Sequence, residues 1–154
     1  MWQRIQTVFL VIAIVSLVAA IFLPIWVHQD ASGKVYELFA LHFTTIENGA
    51  RTTVYMPYSL TAMLLVAAIT LAVIEVRKFR DRMAQVKMGA LNSLFLAGGL
   101  GSAVYFATSL IKTYQGGTYG LGLWLPAVAV VCNWVAIRFI KKDERLVRDS
   151  DRLR

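Results

Sequence analysis

The chain has 154 residues, of which 58% are hydrophobic and 16% charged, with a formal net charge of +7. A mean hydropathy of +0.60 excludes an ordinary soluble domain. The basic excess does not call for nucleic acid, because lysines and arginines that flank membrane spans and meet anionic lipid account for it.

Four apolar runs, residues 8–26, 59–76, 88–111 and 121–140, organise the whole sequence. At 1.5 Å per helical residue, runs of about 18–24 residues reach about 27–36 Å, the thickness of a hydrocarbon core. Run one follows Arg4 and reads as a retained helix. Its apolar core exceeds that of a cleavable leader, and Phe22-Leu23-Pro24-Ile25-Trp26 continues apolar where a small-x-small site would stand. Pro24, like Pro126 in run four, sits near a run's end, where it can shape or bend a helix without breaking a span.

The connection 27–58 is the only sizeable segment between spans. Residues 34–45 and 52–55 are rich in β-branched and aromatic side chains. Asn48-Gly49 between them suits a type I′ turn, which needs positive φ at both central residues. Asp30-Ala31-Ser32-Gly33 is a second turn. The expectation is a small antiparallel hairpin or meander lying over the bundle. Leu38, Phe39, Leu41 and Phe43 put apolar side chains on both of its faces. His28 and His42 share this connection with Asp30, Glu37 and Glu47 but show no metal-ligand spacing. No metal, cofactor or catalytic residue is expected.

Run two carries Glu75 near its end, and run four carries Arg138 at similar depth. A glutamate at a helix C-terminus opposes the macrodipole and gains from a nearby cation. Glu75 is therefore expected to pair with Arg138, or with Arg77 or Lys78. Run three repeats small residues every four positions, Gly89, Ser93, Ala97 and Gly101, with Gly98 and Ser102 beside them. Such a stripe lets a neighbouring backbone approach closely, within one bundle or between two copies of the chain. Asn133, the amide deep in run four, needs a partner on another helix. Cys132 reads as a small buried residue. The Gly-rich stretch 116–122 follows no strand and lacks a lysine in register, so it is no phosphate loop.

Basic residues set the orientation. Arg4, the group Arg77, Lys78, Arg80, Arg82 and Lys87, and the group Arg138, Lys141, Lys142, Arg145, Arg148, Arg152 and Arg154 flank one side. The other connections hold only Lys34, Arg51 and Lys112. The positive-inside rule places both termini in the cytoplasm. Trp26, Tyr58, Tyr114, Tyr119 and Trp124 then fall at the outer interface and Trp2 and Phe79 at the inner one, as aromatic belts.

The tail 141–154 mixes basic and acidic side chains, too evenly for a polybasic anchor. Leu146, Val147 and Leu153 would line one side of a helix, and Glu144–Arg148 is a favourable i,i+4 pair. Lys141, Lys142, Asp143, Glu144, Arg145, Arg148, Asp151 and Arg152 are the candidate partner-binding residues.

The opening Met1-Trp2-Gln3-Arg4-Ile5-Gln6-Thr7 and the closing segments Ile140-Lys141-Lys142-Asp143-Glu144-Arg145-Leu146-Val147-Arg148 and Asp151-Arg152-Leu153-Arg154 carry a resemblance. The chain resembles, over its whole length, a family of small bacterial four-span membrane proteins catalogued as domain of unknown function 4293. The resemblance implies an inner-membrane location and four spans, and brings no activity with it.

The expected fold is an all-α membrane protein, a four-helix transmembrane bundle with a small extracytoplasmic β-hairpin or meander between helices 1 and 2. The expected function is a non-enzymatic accessory or structural subunit, with the lipid bilayer and another membrane protein as partners and self-association as a further mode. A small transporter or channel is the alternative. Asn133, Thr70, Ser93 and Ser102 are the midplane polar groups such a path would use.

Overall fold

The computed structural model describes residues 3–78 and 81–152. Its four helices are α1 (Gln3–Phe22), α2 (Ser59–Arg77), α3 (Arg82–Tyr114) and α4 (Leu121–Arg152). All four are long and apolar enough to cross a membrane. Each packs on its neighbour in sequence, and α1 closes the ring against α4. The outward faces carry exposed apolar side chains such as Val15, Met63, Leu94 and Val131, as lipid-facing surfaces do. The interior is built from Leu10, Leu17, Leu65 and Leu96 interleaved with alanines, which let the helices approach closely.

Helix ends follow local chemistry. Run one stops as a helix at Phe22, earlier than its hydropathy suggests, because Pro24 cannot continue the hydrogen-bond ladder. Trp26 therefore leaves the helix and opens a strand. Asp81 caps α3 by accepting a hydrogen bond from the Ala84 amide at 3.0 Å. Pro126 lies within the early turns of α4, where few backbone bonds are at stake.

The element above the bundle is larger than a hairpin. Strands β1 (Trp26–Gln29), β2 (Val35–Leu38), β3 (Phe43–Glu47), β4 (Ala50–Val54) and β5 (Thr118–Tyr119) form one antiparallel sheet in the order β4-β3-β2-β1-β5. Asn48 and Gly49 make the β3–β4 turn with φ of 49° and 84°, the positive values a type I′ turn requires. Asp30 closes the β1–β2 turn by accepting from the Gly33 amide at 3.0 Å. The stretch 34–45 is broken by a tight turn, with the Phe39 amide donating to the His42 carbonyl at 2.8 Å. The added strand β5 comes from the α3–α4 connection and pairs Trp26 with Tyr119.

Backbone bonds fasten this sheet to the bundle. The Ala62 amide at the start of α2 donates to Ala40 at 3.0 Å. The Gly120 amide donates to Ile25 at 2.8 Å, and the Gly122 amide to Pro24 at 3.0 Å. The sheet thus occupies the end where α1 finishes and α4 begins, opposite the chain termini.

Candidate functional site

Three regions carry chemistry: a ring stack beneath the sheet, a polar cluster inside the bundle, and the projecting end of α4.

The ring stack gathers residues from four separate elements. Tyr36 lies 4.3 Å from Tyr114, centroid to centroid, and Tyr114 also meets Trp26 at 6.0 Å, His28 at 6.2 Å and Phe43 at 6.2 Å. Phe43 continues to Tyr58 at 5.5 Å, and Tyr58 to Phe106 at 5.3 Å. Trp26 is fully buried, and Tyr58 and Tyr114 are half-buried. These three are not lipid-facing belt residues, because the sheet folds over them and turns them into its core. Tyr119 and Trp124 remain exposed, while Trp2 and Phe79 lie outside the described residues. Beside the sheet, a groove of about 260 Å³ is lined by apolar Phe22, Phe39 and Leu41 and by polar His42, Glu37 and Arg51. Elsewhere on the sheet, Lys34 and Glu47 form an ion pair at 2.8 Å, and that hydrogen bond holds the Lys34 ammonium above its usual range.

The second region lies near the opposite end. The buried face of α3 runs through Gln85, Gly89, Asn92, Leu96, Gly99, Ala103, Ala107 and Leu110. Of the expected stripe it contains Gly89, and Ser93 reaches α4 from its edge through a hydrogen bond with Asn133. Steps of four residues drift by about 40° around a helix of 3.6 residues per turn, so the stripe leaves the packed face. Gly89 is buried, whereas Ser93, Ala97 and Gly101 are exposed, and a Cβ on Gly101 would meet nothing within 4 Å. Gly99, which the stripe omitted, is the residue against which Leu65 packs.

Asn133 of α4 lies opposite this face and is buried. Its Nδ2 donates to the Gly89 carbonyl at 3.1 Å and to Ser93 Oγ at 2.9 Å. Its Oδ1 accepts from Asn92 Nδ2 at 3.2 Å. Nearer the helix ends, Gln85 Nε2 donates to the backbone carbonyl of Glu75 at 2.9 Å. On the sheet side, Thr61 and Ser102 hydrogen-bond across α2 and α3 at 2.9 Å. Asn133→Leu should cost about 0.6–2 kcal/mol, since it strands the Asn92 amide in an apolar interior, while the Gly89 carbonyl keeps the Ser93 hydroxyl. Thermal melting in mild detergent checks this, and a melting curve identical to wild type would contradict it.

The expected Glu75–Arg138 pair does not form. Glu75 is fully buried, with neither carboxylate oxygen hydrogen-bonded among the described residues. Arg138 faces outward, its guanidinium carbon 3.7 Å from the centre of the Trp134 ring. Arg77 and Lys78 are exposed as well. The two helices run in the same direction, but similar depth along them does not determine azimuth. Residue 138 falls on the lipid side of α4, where a guanidinium finds an aromatic face. Sequence reasoning missed Gln85, although Gln85, Gly89 and Asn92 stand at i, i+4 and i+7, the spacing of one helix face.

The third region is the end of α4. Asp143 turns inward and pairs with Arg82 of α3 at 3.2 Å, and Arg82 also donates to the Asp143 carbonyl at 3.3 Å. Lys141, Lys142 and Arg145 are exposed, Glu144 is half-exposed, and Leu146 is exposed beside them. The helix continues to Arg152. The side chains of Arg148, Asp151 and Arg152 lie outside the described residues. Among the described residues no three of His, Cys, Asp or Glu come together as a metal site would require.

A closed ring of four membrane-length apolar helices, capped at one end by a small antiparallel sheet, defines the class: a multi-pass helical bundle of membrane type. Within that class, the chain belongs to the family described as domain of unknown function (DUF4293), which matches residues 2–153. No curated protein matches it.

Proposed function

We propose that this protein is a non-enzymatic accessory or structural subunit of a bacterial inner membrane, with both termini cytoplasmic, that binds another membrane protein. The observation that carries the reading is the end of α4. Beyond the Arg82–Asp143 pair the helix continues through Glu144 to Arg152, about 13 Å at 1.5 Å per residue. The pair anchors the base of this arm to α3, while Lys141, Lys142, Glu144, Arg145 and Leu146 offer alternating charge and an apolar spot to a partner. Orientation rests on the basic residues, which concentrate at this same end. The capped end, with its apolar-and-charged groove, offers a second contact on the outer side.

Truncation after Asp143 tests this. It keeps the Arg82 pair, so the bundle should still melt as the full chain does. The full chain, captured through a tag in mild detergent, should bring down a stoichiometric membrane protein that the truncated chain does not. Equal recovery by both chains would place the contact elsewhere.

The second reading, a small transporter or channel, is favoured by one observation: the polar cluster of Glu75, Gln85, Asn92 and Asn133 inside the bundle. Ionisable residues at membrane depth are functional candidates by default. Solute or ion flux in proteoliposomes, lost on Asn133→Leu, would move the weight to it.

A further inference from the structure

The polar cluster has a feature that neither reading uses. Glu75 is fully buried, and both of its carboxylate oxygens lack a hydrogen-bond donor among the described residues. Two amide oxygens of the same cluster, Gln85 Oε1 and Asn92 Oδ1, are buried and equally bare. The amide nitrogens are already committed. Gln85 Nε2 donates to the Glu75 carbonyl, Asn92 Nδ2 to Asn133, and Asn133 Nδ2 to Gly89 and Ser93. Among the described residues, these four acceptor oxygens are left without a donor.

Glu75 meets the α3 face that carries Gln85 and Asn92 at Gly89. A Cβ built on Gly89 would sit 3.1 Å from Glu75 Oε1 and 2.7 Å from the Ile137 side chain. The missing side chain at 89 thus admits the Glu75 carboxylate between α3 and α4. Gln85 and Asn92 flank Gly89 on the same face of α3. No cation of the described protein answers the charge. On α2, Arg77 and Lys78 are exposed; on α3, Arg82 is engaged with Asp143. On α4, Arg138 lies over Trp134, and Lys141 and Lys142 are exposed. On α1, the buried polar residue at this end among the described residues is Gln6, which is uncharged, and the Arg4 side chain lies outside them.

An uncompensated carboxylate in an apolar interior is among the most costly arrangements a bundle can hold. Buried carboxylate and amide oxygens without donors are the ligand type a hard cation takes, and a single carboxylate balances a single positive charge. We propose that Glu75, Gln85 and Asn92 form a binding site, inside the bundle, for one exchangeable monovalent cation, a proton or a sodium ion. The proposal is independent of whether the protein is a subunit or a transporter.

The test uses the full chain in mild detergent, with sodium chloride or choline chloride at equal ionic strength, from about pH 6 to about pH 8.5. A fluorescent hydrophobic carbodiimide, which reacts with protonated carboxyls in apolar surroundings, is mapped to its site by mass spectrometry. Thermal melting is followed in parallel. If sodium occupies the site, sodium chloride raises the wild-type melting temperature over choline chloride. At about ten times its Kd, sodium also lowers labelling of Glu75 about tenfold. If a proton occupies it, labelling and melting temperature both fall as pH rises, alike in the two salts. In either case Glu75→Gln removes the response, and Gln85→Ala weakens it in a chain that keeps its carboxylate. The proposal is overturned if wild type and Glu75→Gln respond in parallel to both salt and pH. Should Glu75→Gln not fold, wild-type melting that is flat to salt and pH, with Glu75 unlabelled throughout, overturns it equally.

Discussion

Trp26→Ala is expected to destabilise the protein by about 3–5 kcal/mol, the usual cost of emptying a large aromatic site in a core. The residue is fully buried, and its strand β1 lies between β2 and β5 in the sheet. Its indole packs on Tyr114 at 6.0 Å and His28 at 5.8 Å, so its loss opens a void beneath the sheet and loosens the ring stack. Gly117 lies against the same indole with φ of 104°, and a Cβ there would overlap the ring. Deletion at 26 therefore leaves a cavity that the surrounding backbone is poorly placed to fill. Melting in mild detergent reads the loss, and Trp26→Phe should recover part of it. A shift of less than about 1 kcal/mol would mean that the sheet contributes little to the folded bundle.

The second large effect belongs to the joint between α1 and α4. A Cβ on Gly120 would overlap the Pro24 carbonyl oxygen, and one on Gly122 the Leu23 carbonyl oxygen. These obstacles are backbone atoms, which cannot rotate away as a side chain can. The same glycines donate their amides to Ile25 and Pro24, so a shift that relieves the overlap also breaks those bonds. Gly120→Ala and Gly122→Ala should each cost at least the ~1–3 kcal/mol of ordinary overpacking. Gly101→Ala, where a Cβ would meet nothing, is the matched control and should leave melting near wild type. Equal melting of all three variants would show that the joint is not close-packed.

How much of this could be read beforehand depends on the range of each interaction. Four spans were legible because hydropathy over some twenty residues is a property of the segment alone. The Asn48-Gly49 turn was legible because positive φ is a local demand that few residue pairs meet. Strand β5 was not, since two residues carry too little pattern and pair only because the α3–α4 connection passes beside β1. Nor were the roles of Tyr58 and Tyr114 legible. An aromatic residue at the end of a span serves equally as a belt anchor or as a core ring, until something folds over it.

The polar sites divide in the same way. Asn133 announced its need for a partner through its isolation in an apolar run, yet nothing in the order of residues said that Asn92 and Gly89 would supply it. Glu75 and Arg138 were matched in depth by counting, and the structure separates them by azimuth. By itself, the sequence determined the four helices, the turn chemistry and the concentration of cations at one end, because each follows from residues near one another along the chain. Only the tertiary structure decided which face of each helix is inward. That choice is made by complementary shape, with Gly89 yielding to Ile137 and Glu75, and Gly99 to Leu65. It is also what leaves one carboxylate and two amide oxygens buried without a donor among the described residues.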